Sequence, residues 1–155
     1  VSPGKVSRRR RNQWASAEDA LAHFQHKRAF ARWHPQMLRD YIAHGTHDQP
    51  GPHGTHRVLG FDRDIETAIY NTLPHQLDRL LRRHPLRCPV AFIGGTESQE
   101  MRQVGMAMTR KVVGPDRPER LRWIEGSHLF PMERPLDTAA AIDELLQTLE
   151  RPTPV

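Results

Sequence analysis

An imidazole on the loop that leaves the carboxyl end of a strand is placed for proton transfer, because open parallel α/β sheets bind their ligands where those loops emerge. The stretch Leu121-Arg-Trp-Ile-Glu-Gly-Ser-His-Leu-Phe-Pro-Met-Glu-Arg-Pro135 has this character: a short apolar run leads directly into a loop carrying His128. Taken alone, a loop histidine is more often structural than functional, so its neighbourhood decides. A second set of chemistry-bearing residues is His44, His47, His53 and His56, two H-x-x-H pairs among glycines and prolines. Imidazoles can hold zinc, copper or nickel, but no carboxylate or thiolate joins these four at a metal-ligand spacing. They read as polar loop residues, with no specific metal expected.

The elements around His128 have the order needed to present it. Downstream, Pro131 and Pro135 precede an amphipathic helix that Asp137 can cap, with Ile142, Leu145, Leu146 and Leu149 recurring at helical spacing. Upstream, Pro89-Val-Ala-Phe-Ile93 is a continuous apolar run ending at Gly94-Gly95, as expected of a strand buried on both faces. Between the two runs, Met101, Val104, Met108 and Val112 lie on one helical face, and the segment is long enough for a parallel crossover. Residues 88–150 therefore predict a βαβα unit, with the 94–98 and 125–130 loops on one edge of its sheet.

These residues resemble a known family. The run Cys88-Pro-Val-Ala-Phe-Ile-Gly-Gly-Thr-Glu-Ser98, followed about thirty residues later by Glu125-Gly-Ser-His-Leu-Phe-Pro-Met-Glu-Arg-Pro135, resembles the last two core strands of the α/β-hydrolase fold. The segments Arg8-Arg-Arg-Arg-Asn-Gln-Trp14, Ala29-Phe-Ala-Arg-Trp-His-Pro35, Leu38-Arg-Asp-Tyr41 and Asp64-Ile-Glu-Thr-Ala-Ile-Tyr70 are similar to the helical cap of esterase-like or lipase-like members. The resemblance implies an α/β fold in two regions, a cap over residues 1–87 and a C-terminal piece of the hydrolase core over 88–155. It implies that His128 is the general base of a Ser-His-acid triad acting on a small, partly apolar acyl substrate, without a cofactor. The family places the acid three residues after the glycine that ends the penultimate strand, which here is Ser98. A serine cannot carry that charge, so the adjacent Glu97 is the preferred acid. Glu100 suits the first turn of the next helix; if the acid follows an earlier strand, as in some members of the family, it lies outside this chain or is Asp62 or Asp64. Trp33, Leu129 and Met132 are the candidates for contact with substrate, although aromatics at helical spacing are more often core.

The family's nucleophile elbow, Gly-x-Ser-x-Gly, occurs nowhere in the 155 residues, and neither does its oxyanion loop. With Val1 in place of Met, this suggests a truncated product, a partial gene model or a mature piece that needs the nucleophile-bearing N-terminal half. Two functional classes follow: part of a serine hydrolase, or a non-catalytic module of the same fold.

Composition is compatible with a cap-rich fragment. The chain is 37% hydrophobic and 26% charged, and its mean hydropathy of -0.70 is polar for a compact enzyme. Its net charge of +5 and the run Arg8 to Arg11 invite a nucleic-acid reading, but no zinc-finger or RNA-recognition spacing accompanies them. Arg79, Arg82, Arg83 and Arg87 alternate with Leu77, Leu80 and Leu81 as the polar side of an amphipathic helix would. Nucleic acid is therefore not the expected partner. One cysteine, Cys88, excludes an internal disulfide, and no run has the length of a membrane span, which predicts a cytoplasmic protein.

The first half predicts helices separated by punctuation. Ser16 and Asp19 open a helix through Ala20, Leu21 and Phe24; Pro35 opens another through Met37, Leu38, Tyr41 and Ile42, ended by Gly45. Residues 45–56, with Pro50, Gly51, Pro52 and Gly54, predict a flexible loop, and Val58–Phe61 a short strand or extended entry. A helix through Ile65, Ala68 and Ile69 follows, and Pro74 separates it from a basic helix ending near His84.

Overall fold

The computed structural model describes residues 3–72 and 76–150. Its contacts divide the chain into two compact units, residues 1–75 and 76–155. Residues 76–87, assigned to the cap on sequence, fall with the second unit in this division.

The first unit begins with α1 (Pro3–Arg9) and β1 (Gln13–Trp14), followed by α2 (Ala17–Gln25) and α3 (Pro35–Gly45). Both longer helices start on side-chain caps. Ser16 Oγ accepts from the Asp19 N–H at 3.2 Å, and His34 Nδ1 accepts from the Gln36 N–H at 3.2 Å, with Pro35 at the first helical position where no donor is needed. The apolar stripes of α2 and α3 close on Trp14 and Leu59, so that Trp14, Ala20, Phe24, Leu38, Ile42 and Leu59 form the buried core. Each large side chain buried there is worth about 1.5–3 kcal/mol. Phe24 stacks at tilted angles on Trp14 and Phe30, at 5.3 and 4.7 Å between centroids.

The expected flexible loop is instead a β-hairpin. Strands β2 (Thr46–Gly51) and β3 (Gly54–Leu59) pair antiparallel from Thr46 opposite Leu59 to Gly51 opposite Gly54, and β1 pairs with the outer side of β3. Gly54, at φ +110°, supplies the backbone conformation that the Pro52-His53 turn demands. Pro50 is tolerated because β2 is an edge strand of the order β1-β3-β2. The hairpin is tied to α3 by Arg57, whose guanidinium donates to Thr46 Oγ1 at 2.6 Å and to the helix-terminal carbonyl of Ile42 at 2.9 Å.

Helix α4 (Arg63–Asn71) forms where expected, but with its apolar side outward: Ile65 and Ile69 are 61% and 67% exposed. Its inner side is polar and small. Ser7 Oγ donates to Glu66 Oε2 at 2.6 Å, Thr67 Oγ1 donates to Ser7 Oγ at 3.2 Å, and Arg10 pairs with Glu66 at 2.9 Å. Asp62 caps α4 by accepting from the N–H groups of Asp64 and Ile65. Pro74, expected to break the chain before the next helix, lies outside the described residues.

The second unit opens with α5 (Leu77–Arg83), whose Asp78 bonds Arg82 and Lys111. The Lys111 bond is the main reason the Asp78 carboxyl sits below its ordinary range. Strands β4 (Phe92–Gly95) and β5 (Leu121–Ile124) pair parallel, with Phe92 opposite Leu121 and Gly95 opposite Ile124. The crossover is not one helix but two, α6 (Gln99–Val104) and α7 (Ala107–Val113), broken at Gly105, which adopts φ +73° and donates to the Met101 carbonyl. The expected apolar face is broken with it. Val104 is 79% exposed, and the residue buried on α7 is Val113 rather than Val112. Short helix α8 (Phe130–Glu133) and long helix α9 (Pro135–Glu150) complete the unit. Proline starts α9, so Asp137 lies in its first turn instead of capping it, and of the four aliphatic residues expected to face the core Leu145 alone is fully buried. Among the described residues, no helix is long and apolar enough to cross a membrane.

Candidate active site

Glycines let the two loops beyond β4 and β5 meet. A Cβ on Gly95 would sit 2.0 Å from the Ser127 carbonyl oxygen, so only hydrogen fits between the strand end and the histidine loop. Backbone bonds then stitch the loops together: Thr96 N–H donates to Ile124 O and Glu97 N–H to Gly126 O, each at 2.9 Å. The expected shared edge is therefore present, and His128 and Ser98 stand across it.

Glu133 fixes the histidine loop from behind. Its Oε2 accepts the Ser127 N–H at 3.0 Å and its Oε1 accepts the Ser127 hydroxyl, while Ser127 Oγ accepts the Leu129 N–H at 3.0 Å. Gly126, at φ +151°, lets the chain turn against this carboxylate. These contacts reach six residues upstream of Glu133. Arg134 reaches Glu125 at 3.0 Å and holds the base of the same turn.

The imidazole Nδ1 of His128 is 3.3 Å from Ser98 Oγ and 4.0 Å from Glu100 Oε2. Ser98 is 2% exposed, whereas the side chains of His128 and Glu100 are 57% and 59% exposed. Ser98 also caps α6, accepting the Met101 N–H at 3.2 Å, and its hydroxyl lies 3.2 Å from Glu100 Oε2. The carboxylate measured beside the imidazole thus belongs to Glu100, in the first turn of α6. Glu97, the preferred acid on sequence, is exposed on the neighbouring loop with its backbone bonded to Gly126. On sequence Ser98 stands where the acid is missing and Glu100 in the first turn of the next helix; no local signal marks the serine as buried, since the capping residues Ser16, His34 and Asp62 are not.

Of the residues expected to touch substrate, Leu129 and Met132 follow His128 in the chain and are about one-third exposed, at 38% and 36%. Trp33 belongs to the first unit, where it packs against Phe30 and Tyr41 at 4.6 and 5.6 Å, and its indole N–H has no hydrogen-bond partner. Among the described residues, no three His, Cys, Asp or Glu side chains are arranged to hold a metal ion.

This architecture matches solved structures of hydrolases. The chain is similar to the peroxisomal alpha-beta-hydrolase Lpx1 from Saccharomyces cerevisiae, with a TM-score of 0.64 and 16% identity, over 97% of this chain and 40% of that one. It is also similar to the thioesterase domain from the curacin biosynthetic pathway, with a TM-score of 0.56 and 16% identity, over 85% of this chain and 44% of that one. No protein-family model matches the sequence. No curated protein matches it either. The fold is that of an α/β-hydrolase in part, and the chain spans about two fifths of the length of the solved structures it matches.

Proposed function

We propose that this chain is the histidine-bearing part of a serine hydrolase that cleaves ester or related acyl bonds of a small, partly apolar substrate. The observation that carries the reading is the position of His128, on the loop beyond a parallel strand, braced by Glu133 and facing Ser98 and Glu100 across the sheet edge. In this mechanism a serine outside the 155 residues attacks the acyl carbon, His128 takes its proton and then delivers it to the leaving group, and water repeats the cycle to release the acid. Glu97 or Glu100 supplies the negative charge that stabilises the imidazolium. Leu129 and Met132 offer apolar contact beside the reacting atoms, and the first unit, including Trp33, takes the role of cap. The lone, exposed Cys88 suits a reducing, cytoplasmic location, which a fluorescent fusion protein would test.

The test is turnover of an activated ester by this chain combined with a separately expressed N-terminal α/β-hydrolase half that bears Gly-x-Ser-x-Gly. His128→Ala is expected to lower kcat by several orders of magnitude with the fold intact, because triad members act as a unit. Near-normal turnover in that variant would make the histidine structural.

A further inference from the structure

The contacts of Ser98 determine more than its own position. A serine hydroxyl donates one hydrogen bond and accepts two. One acceptor position is filled by the Met101 N–H, at 3.2 Å. The two remaining neighbours are Glu100 Oε2 at 3.2 Å, which as a carboxylate only accepts, and His128 Nδ1 at 3.3 Å, which donates or accepts according to tautomer. The single hydroxyl proton satisfies Glu100 only if it points to the carboxylate, and the imidazole then satisfies the serine only by carrying its own proton on Nδ1. The opposite arrangement turns the hydroxyl toward a bare Nδ1 and leaves the Glu100 oxygen facing a serine lone pair at 3.2 Å, a repulsive contact. Burial of Ser98 removes water as an alternative partner and sharpens the choice.

We propose that Ser98 and Glu100 are positioning residues that hold His128 as its Nδ1–H tautomer, through a relay from Nδ1–H to Ser98 Oγ and from Ser98 Oγ–H to Glu100 Oε2. Nε2 is then left with its lone pair directed away from the relay, in the form required of a general base. The serine thus transmits the influence of a carboxylate whose Oε2 lies 4.0 Å from Nδ1. The separations are the loose ones that catalytic hydrogen bonds show before substrate is bound. What Nε2 does rests on the serine-hydrolase reading above; the tautomer itself does not.

The relay makes an unusual demand on Glu100. If this carboxylate is removed, the Ser98 proton loses its acceptor and turns to His128 Nδ1, so the imidazole proton must move to Nε2. Glu100→Ala therefore inverts the tautomer, a result that a merely structural glutamate would not give. The experiment is two-bond ¹H–¹⁵N correlation on the full 155-residue chain at about pH 8.5, where ordinary imidazoles are neutral. His128 is assigned by comparison with His128→Gln. The expected result is an Nδ1–H majority in the unaltered chain and an Nε2–H majority in Glu100→Ala, with unchanged melting temperature because Glu100 is exposed. An Nε2–H majority in the unaltered chain overturns the relay, as does an Nδ1–H majority that survives Glu100→Ala. Neither result depends on hydrolysis, so a failed relay is distinguishable from a failed hydrolase assignment.

Discussion

A methyl group at Gly95 would collide with the Ser127 and Gly126 carbonyl oxygens at 2.0 and 2.7 Å, and neither atom can swing aside as a side chain could. Gly95→Ala is expected to destabilise the second unit by about 1–3 kcal/mol, measured by urea unfolding, and to displace the His128 ring resonances. Gly94→Ala meets mainly the ring edges of Trp123 and Phe92, at 2.7 and 2.8 Å, and is expected to move His128 less. In the first unit, burial lowers the pKa of His23, and the charges of Lys27 and Arg11 add to the effect. The unfolded chain then binds a proton that the folded unit resists. Stability is present above the ordinary histidine value of about 6.5 and is lost as pH falls below it toward the lower folded value. His23→Gln is expected to flatten the melting temperature over that acidic range; an unaltered slope would assign the pH dependence to other groups.

Of the hairpin β2–β3, the end of β3 at Val58–Leu59 falls in the short strand expected from Val58; the rest was illegible for a physical reason. Of its residues, Thr46, Val58 and Leu59 alone are fully buried, so no alternation of apolar and polar side chains marks a strand. Backbone pairing, the positive φ of Gly54 and the Arg57 bonds to α3 hold it instead. A Cβ at Gly54 meets nothing within 4 Å, so Gly54→Val isolates backbone strain; the expected loss is about 1–3 kcal/mol in thermal unfolding. Helix α4 was legible as a helix, but its orientation was not, because its inward contacts are hydrogen bonds among Ser7, Glu66 and Thr67 rather than its isoleucines. The parallel pairing and the His128 loop were legible because apolar runs ending at glycine specify both strand and exit, although β4 begins only at Phe92 and its Phe92 and Ile93 are half-buried rather than covered on both faces. The Ser98–His128 contact spans thirty residues, and no local pattern encodes it.

The two units differ in what they bury. The first encloses Trp14, Ala20, Phe24, Leu38, Ile42, Val58 and Leu59; the second encloses Val113, Ile124 and Leu145, while its Trp123, Leu136, Ile142 and Leu146 are exposed. A two-stranded parallel sheet is rarely sufficient by itself, since parallel sheets are normally covered on both faces. Backbone amides of β4 and β5 should therefore exchange hydrogen faster than those paired in β2 and β3, which mass spectrometry of the deuterated chain would resolve. Equal protection would show that the second unit is stable on contacts other than those its burial reveals. The central claim, that His128 serves a nucleophile outside these residues, is tested most directly with a serine-directed fluorophosphonate probe. The purified 155-residue chain is incubated with the probe alone and after mixing with a separately expressed N-terminal hydrolase half that bears Gly-x-Ser-x-Gly. The account predicts no labelling of the isolated chain, and labelling of the added segment that requires this chain and is lost with His128→Ala. Stoichiometric labelling of Ser98 or Ser127 in the isolated chain, or labelling of the added segment that is indifferent to His128, would contradict it.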